Sequence, residues 1–267
     1  MSRSGRSTAW PSAPAEPSNT STSSRSHSSS RSEAPGLARA FIDLHCHTRA
    51  SFDSLARPVD VVRVAAERGL SHLAITDHDR IDGALEGLAA APAGLTVIVG
   101  QEIRTTEGDL IGVFLVDPVP SGLAPEDAIR EVREQGGLVG MPHPFDRFRG
   151  SLGRDAQVAR LAPLVDWVEV HNARLLGSGN ERAREFAALH GLPGVAVSDA
   201  HTTVEVGVAY TVVDGDPGTP AGLLAALSSA EPVRGRGSYL VRLVTPLAKV
   251  VQRARGNDRP RSGTAAR

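Results

Sequence analysis

Five of the nine histidines in this chain fall in four short clusters, each following an apolar run and carrying or neighbouring a carboxylate. The clusters are Asp43-Leu44-His45-Cys46-His47, Thr76-Asp77-His78-Asp79, Pro142-His143-Pro144 and Ser198-Asp199-Ala200-His201. A further apolar run, Leu95 to Val99, leads to Glu102. Where strands alternate with helices in a barrel, the C-terminal strand ends converge on one mouth. Residues far apart in sequence would then meet there, and imidazoles with carboxylates can hold several divalent cations.

The rest of the pattern supports that reading. Apolar runs at Ala40–Leu44, Leu73–Ile75, Leu95–Val99, Leu110–Val116, Leu138–Met141, Trp167–Val170, Gly194–Val197 and Tyr210–Val213 read as strands, the fourth pairing near Ile103 as a hairpin. Helical patterns start at Pro58 and Pro125, run over Gly83–Ala90 and Ala156–Leu161, and are capped by Asn180 and Thr219. The stretch Tyr239–Val251 is amphipathic and reads as a closing segment. Strands alternating with helices argue for parallel βαβ units in a barrel slightly smaller than full size, with an open doubly wound sheet as the alternative. No phosphate-binding glycine loop is present, which weighs against a nucleotide-cofactor fold.

Composition narrows the partners. Lys and Arg total 29 against 30 Asp and Glu, so no global charge favours nucleic acid or an anionic membrane. No apolar run approaches the roughly 20 residues of a membrane span. Residues 1–36 are rich in Ser, Pro and Arg and read as a disordered tail, residues 37–255 as the folded domain, and residues 256–267 as a frayed basic end. Cys46 is the single cysteine, which fits a reducing, cytoplasmic setting, and strand alternation turns it away from His45 and His47.

Each candidate has an ordinary alternative. His45-x-His47 places both imidazoles on one side of a strand, within reach of one metal. In the second cluster His78 is the expected ligand, with Asp77 and Asp79 either orienting neighbouring imidazoles or capping the next helix. Glu102 can bridge two cations or be a solvated strand-end charge; Glu107 and Asp109 read as surface charges. His143 sits on a backbone restricted by two prolines. Asp199-x-His201 repeats the two-residue spacing with mixed donors. Asp53 is a loop oxygen ligand or a loop charge. Arg174 offers a planar fork for phosphate or forms a surface pair, for example with Glu181; Arg147 and Arg149 carry the same two readings. His171 and Asn172 close another strand.

These residues resemble the motifs of the PHP (polymerase and histidinol phosphatase) domain family, and Glu169-Val170-His171-Asn172-Ala173-Arg174 is similar to its stand-alone phosphoesterase branch, which includes nucleoside-bisphosphate phosphatases. The resemblance runs from about Phe41 into the C-terminal region. It implies a distorted (β/α)7 TIM-like barrel with two or three divalent ions (Mn, Zn or Fe). By motif position it implies that His45, His47, Glu102 and Asp199 hold one ion, Glu102 and His143 a second, and Asp53, His78 and His201 a third. His171 could fill a further histidine position, although stand-alone relatives often carry an aromatic there and keep only the asparagine. Asp53 stands where some branches have histidine.

The expected activity is metal-dependent hydrolysis of phosphate esters by water activated as hydroxide, with Asp199, His201 and Arg174 at the reacting centre and Arg149 as a further phosphate contact. The expected substrate is a small phosphorylated molecule, a nucleotide such as a 3′,5′-bisphosphate first and a short oligonucleotide 5′ end next. Histidinol phosphate is the runner-up substrate. A non-catalytic metal-binding regulatory module is the rival from a different class.

Overall fold

The computed structural model describes residues 38–146, 151–153, 155–236 and 244–258. The expected tail, Arg147, Arg149 and the first residues of the Tyr239–Val251 stretch lie outside the described residues. Among the described residues no helix is long and apolar enough to cross a membrane.

Apolar, β-branched runs become strands where turn residues bound them. Strands β1 (Arg39–Asp43), β2 (His72–Ile75) and β3 (Thr96–Arg104) pair in parallel. Helices α1 (Pro58–Glu67), with proline in its first turn, and α2 (Asp82–Ala89) connect them. Strand β4 (Asp109–Val113) turns back antiparallel on β3, which is the expected hairpin. After α3 (Pro125–Glu134), strand β5 (Leu138–Met141) pairs antiparallel with β4. Parallel pairing resumes through β6 (Trp167–Asn172) and β7 (Gly194–Val197), joined by α4 (Asp155–Leu161) and α5 (Gly179–His190). Strand β8 (Tyr210–Asp214) lies antiparallel to β1, and a short β9 (Glu231–Val233) edges β8. Helices α6 (Pro220–Ala226) and α7 (Val244–Ala254) complete the chain.

The sheet runs β7-β6-β5-β4-β3-β2-β1-β8-β9 and curls into a nearly closed barrel. Its seam is closed in two ways. At the mouth, the extensions of β1 and β7 pair directly: Asp199 N–H donates to His45 O (2.9 Å) and His47 N–H to Ala200 O (2.8 Å). Lower down a side chain does the work of a ladder. Ala196 N–H donates to Thr211 Oγ1 (2.9 Å), and the Thr211 hydroxyl donates to Ala196 O (3.0 Å). Thr211→Val keeps the shape but orphans both buried backbone groups, so unfolding free energy should fall by about 1–3 kcal/mol in a denaturant titration. An unchanged midpoint would show that the seam does not need this bridge.

One apolar cluster joins Ile42, Ile98, Ile111, Trp167 and Val197, from strands all around the sheet, with Leu223 of α6. It fills the barrel below the mouth. Gly140 is required beside it, because a Cβ there would stand 2.2 Å from the Trp167 ring. Cys46 is buried in a separate cluster with Val61, Val62 and Ala65 of α1, as alternation requires.

Three local expectations are corrected. Glu102 lies inside β3 rather than beyond its end, opposite Ile111, because the hairpin prolongs the pairing. Asn180 does not cap α5; Ser178 precedes the helix, and the Asn180 side chain bonds both backbone groups of Asn172 instead. Asn257, expected to be frayed, donates to the carbonyls of Arg49 and Ala50.

Candidate metal centre

The barrel mouth collects the clusters. His45 and His47 extend from β1, His78 follows β2, Glu102 lies within the last paired residues of β3, His143 follows β5, and Asp199 and His201 follow β7. Asp53 comes from the loop between β1 and α1. All eight side chains are buried. Among the described residues, three of the four non-glycine residues with positive φ stand here: Asp79 (57°), His143 (26°) and Asp199 (51°). Strained backbone held at one mouth marks a place where geometry is selected over ease of folding.

The donor atoms face one another. Nε2 of His45 lies 2.9 Å from Nε2 of His47. Glu102 Oε2 lies 3.3 Å from both of these nitrogens and 3.1 Å from His78 Nδ1. Asp199 Oδ1 is 3.7 Å from His45 Nε2 and 3.4 Å from His47 Nε2. The other oxygen of Glu102 is 3.2 Å from His143 Nε2. Asp53 Oδ2 is 3.4 Å from His78 Nε2 and 3.3 Å from His201 Nε2. Four donors at ordinary bond lengths around one ion stand roughly 3.3 Å apart, so these separations match shared cations.

The proton inventory agrees. His45 donates Nδ1–H to Glu169 Oε1 (2.6 Å), His47 donates Nδ1–H to Ser51 Oγ (3.1 Å), and His201 donates Nδ1–H to the Asp199 carbonyl (2.9 Å). In its neutral form each ring therefore presents an Nε2 lone pair to the cluster. Asp53 Oδ1 and His78 Nδ1 are buried without a hydrogen bond, the latter despite its closeness to Glu102. A cation bound among them would satisfy these orphaned atoms and facing lone pairs.

Burial and neighbouring charge set the titrations. Burial raises the Glu102 carboxyl, but His78 and His45 outweigh it and hold Glu102 well below the usual range. Asp53 is held low against burial in the same way by His201 and His78. Burial, aided by the Arg174 charge, pushes His201 down to about 3 and keeps it neutral. Burial opposes charge on His47, yet hydrogen bonds to Asp199 and Glu102 lift it to about 9. Ligation needs that proton to leave. Near pH 7.5, metal uptake should therefore expel on the order of one or two protons per protein, and affinity should weaken as pH falls. Without metal, the stabilisation from His47 is complete below its unfolded pKa, about 6.5, and is lost as pH rises through about 9. Calorimetry in buffers of different ionisation enthalpy checks the release; a buffer-independent heat would contradict it.

Residues 177–232 match the PHP-associated family and residues 43–157 the PHP domain family. An uncharacterized protein of Methanocaldococcus jannaschii is 40% identical over 143 residues, covering 49% of this chain and 81% of that protein. The chain belongs to the PHP family. It is also 36% identical over 100 residues to a 3′,5′-nucleoside bisphosphate phosphatase of Chromobacterium violaceum, covering 36% of this chain and 34% of that one. In fold it is similar to a two-domain protein from Bacteroides vulgatus containing a predicted PHP-like metal-dependent phosphoesterase (TM-score 0.64, 21% identity, 76% of this chain and 68% of that chain).

The PHP motifs account for the donors but not for what holds them. Asp77 accepts from Thr48 N–H (2.6 Å), the Thr48 hydroxyl (2.7 Å) and Ser51 (2.9 Å), and Ser51 in turn meets His47. Asp79 accepts from Arg104 N–H (2.8 Å). Neither caps α2, whose N-cap is Ile81. Glu169 was legible only as part of the resemblance, with no role; its second oxygen accepts from His143 N–H (3.0 Å) and Asn172 Nδ2 (2.9 Å). Asn172 also reaches Asp199 Oδ2 (3.1 Å). Glu205 belongs to no motif and carries no sequence signal, yet it accepts from His201 N–H (3.1 Å) and pairs with Arg174 Nε (3.2 Å). That pair is buried, so Arg174 does not form a surface bridge to Glu181, which binds Arg184. Asp109, expected at the surface, is buried with its carboxylate near His78 and Glu102. The hairpin places it there, opposite Arg104 on β3. His171 stands apart from the cluster: its ring donates Nε2–H to Gly235 O (2.7 Å).

Proposed function

We propose that this PHP domain is a metal-dependent phosphoesterase. The observation that carries the reading is the convergence of eight buried donors, His45, His47, Asp53, His78, Glu102, His143, Asp199 and His201, with lone pairs aimed at shared points. His45, His47, Glu102 and Asp199 would hold one ion, Glu102 and His143 a second, and Asp53, His78 and His201 a third. Divalent ions bound there would acidify water and draw charge from phosphoryl oxygens. The chain's own groups complete the site. Glu169 and Ser51 fix the tautomers of His45 and His47. Asn172 orients Asp199. Glu205 and Thr245 clamp the Arg174 fork at Nε and Nη2, leaving Nη1 to bind a phosphate oxygen beside neutral His201.

The substrate class we favour is a small nucleotide with a terminal phosphate, such as a 3′,5′-bisphosphate. The similarity to a bisphosphate phosphatase and the near-zero net charge support it. The test is phosphate release from mononucleotides, 3′,5′-bisphosphates, histidinol phosphate and 5′-phosphorylated oligonucleotides, with metal content measured on the same sample. Metal-dependent turnover of the bisphosphates is expected. Preference for oligonucleotides with steep salt dependence would replace the substrate class. No turnover from fully metal-loaded protein would sink the enzymatic reading in favour of a binding module.

A further inference from the structure

Beside the mouth lies a second cavity of about 480 Å³, between the segment after β6, the first turns of α5 and the chain after β9. That volume is in the range of small-molecule sites and far exceeds what one phosphate group fills. Its charge is one-sided. Arg184, Arg234 and Arg236 line it, and the one acidic residue, Glu181, is paired with Arg184 at 2.8 Å. Among the described residues no carboxylate pairs with Arg234 or Arg236. Two guanidinium groups without counter-charge around one concavity make a site for an anion with several acceptor oxygens.

The backbone turn that carries the two exposed arginines, Arg234 and Arg236, is held in place. Gly235 between them packs so tightly on the Val208 carbonyl that a Cβ would stand 1.6 Å from it. On its other side the Gly235 carbonyl accepts from His171 Nε2–H, whose Nδ1 in turn faces Asn180 Nδ2 at 3.5 Å. His171 thus serves as a strut under the arginine turn. Burial together with the charges of Arg234, Arg184 and Arg236 lowers its pKa, which keeps it a neutral strut. Asn172, the next residue, lines this cavity and also donates to Asp199 in the metal centre. The two sites therefore share a residue.

We infer that the arginine-lined cavity binds a second, non-scissile phosphate of the same substrate whose reacting phosphate meets the histidine–carboxylate cluster. This rests on the phosphoesterase reading. It predicts a preference for molecules carrying two phosphates over simple monoesters, and it assigns the pocket formed by Arg184, Arg234 and Arg236 to that choice.

The experiment compares the full chain with an Arg234→Ala/Arg236→Ala double variant, using adenosine 3′,5′-bisphosphate and a chromogenic phosphate monoester. The ratio of kcat/KM for bisphosphate over monoester should fall about tenfold or more, the usual scale of lost charge-assisted hydrogen bonds. Arg234→Lys/Arg236→Lys should restore part of the ratio. Gly235→Ala should lower it with every charge retained, because the turn cannot keep its seat on Val208. An unchanged ratio in the double alanine variant overturns the proposal. A separate titration of chelator-treated protein with the bisphosphate keeps the cavity testable if the metal-loaded enzyme turns over neither ester. Binding weakened about tenfold in the double variant would then support the cavity as a phosphate site while the catalytic reading fails. Binding that ignores both arginines would overturn the site as well.

Discussion

His45→Ala and Asp199→Ala should each abolish metal-dependent phosphate release while leaving the fold intact. Both side chains are buried and converge with His47 and Glu102 at separations that match a shared ion. Metal-assisted charge stabilisation supplies several kcal/mol to such reactions, so losing it should cost about 10²–10⁴-fold in kcat/KM. Neither substitution touches the apolar cluster around Trp167 that fills the barrel, so circular dichroism should be unchanged. Metal content measured alongside activity should fall in the same variants. Full activity in either one would remove the cluster from the reaction.

Glu169→Gln should lower metal affinity about 10–100-fold, although Glu169 donates nothing to the cluster itself. The carboxylate accepts at both oxygens: from His45 Nδ1–H on one, from His143 N–H and Asn172 on the other. An amide must place its NH₂ at one of these positions. Against His45 it would force the ring to carry its proton on Nε2, where a lone pair is needed. Against His143 and Asn172 it would set donor against donor in a buried site. A competitive chelator titration reads the affinity. Wild-type affinity in a folded variant would mean that His45 keeps its tautomer without this partner.

Much of the fold was legible because its signals are local. Apolar runs bounded by turn residues predicted β5 and β7 over the same residues that form them, and a two-residue repeat put His45 and His47 on one face with Cys46 on the other. The errors arose where pairing or packing overrode local pattern. The apolar run ending at Val99 predicts Glu102 beyond a strand that the β4 hairpin prolongs. Asn180 carried the chemistry of a helix cap but serves as a brace for Asn172. Asp109, beside glycine and acidic neighbours, read as surface until the hairpin turned it inward.

The sequence by itself determined which residues could ligate metal and that strand ends would carry them, since residue chemistry and side-chain alternation are properties of short segments. Only the tertiary structure decided what fixes those ligands. Glu169 is 124 positions from His45, Ser198 is 155 from Asp43, and Gly235 is 64 from His171. No periodicity links such pairs; they meet because the sheet curls until β1 touches β7 and the chain after β9 returns to β6. Tautomers, buried ion pairs and the arginine cavity follow from that closure, for hydrogen bonds and charges act at a few ångströms in space whatever their separation along the chain.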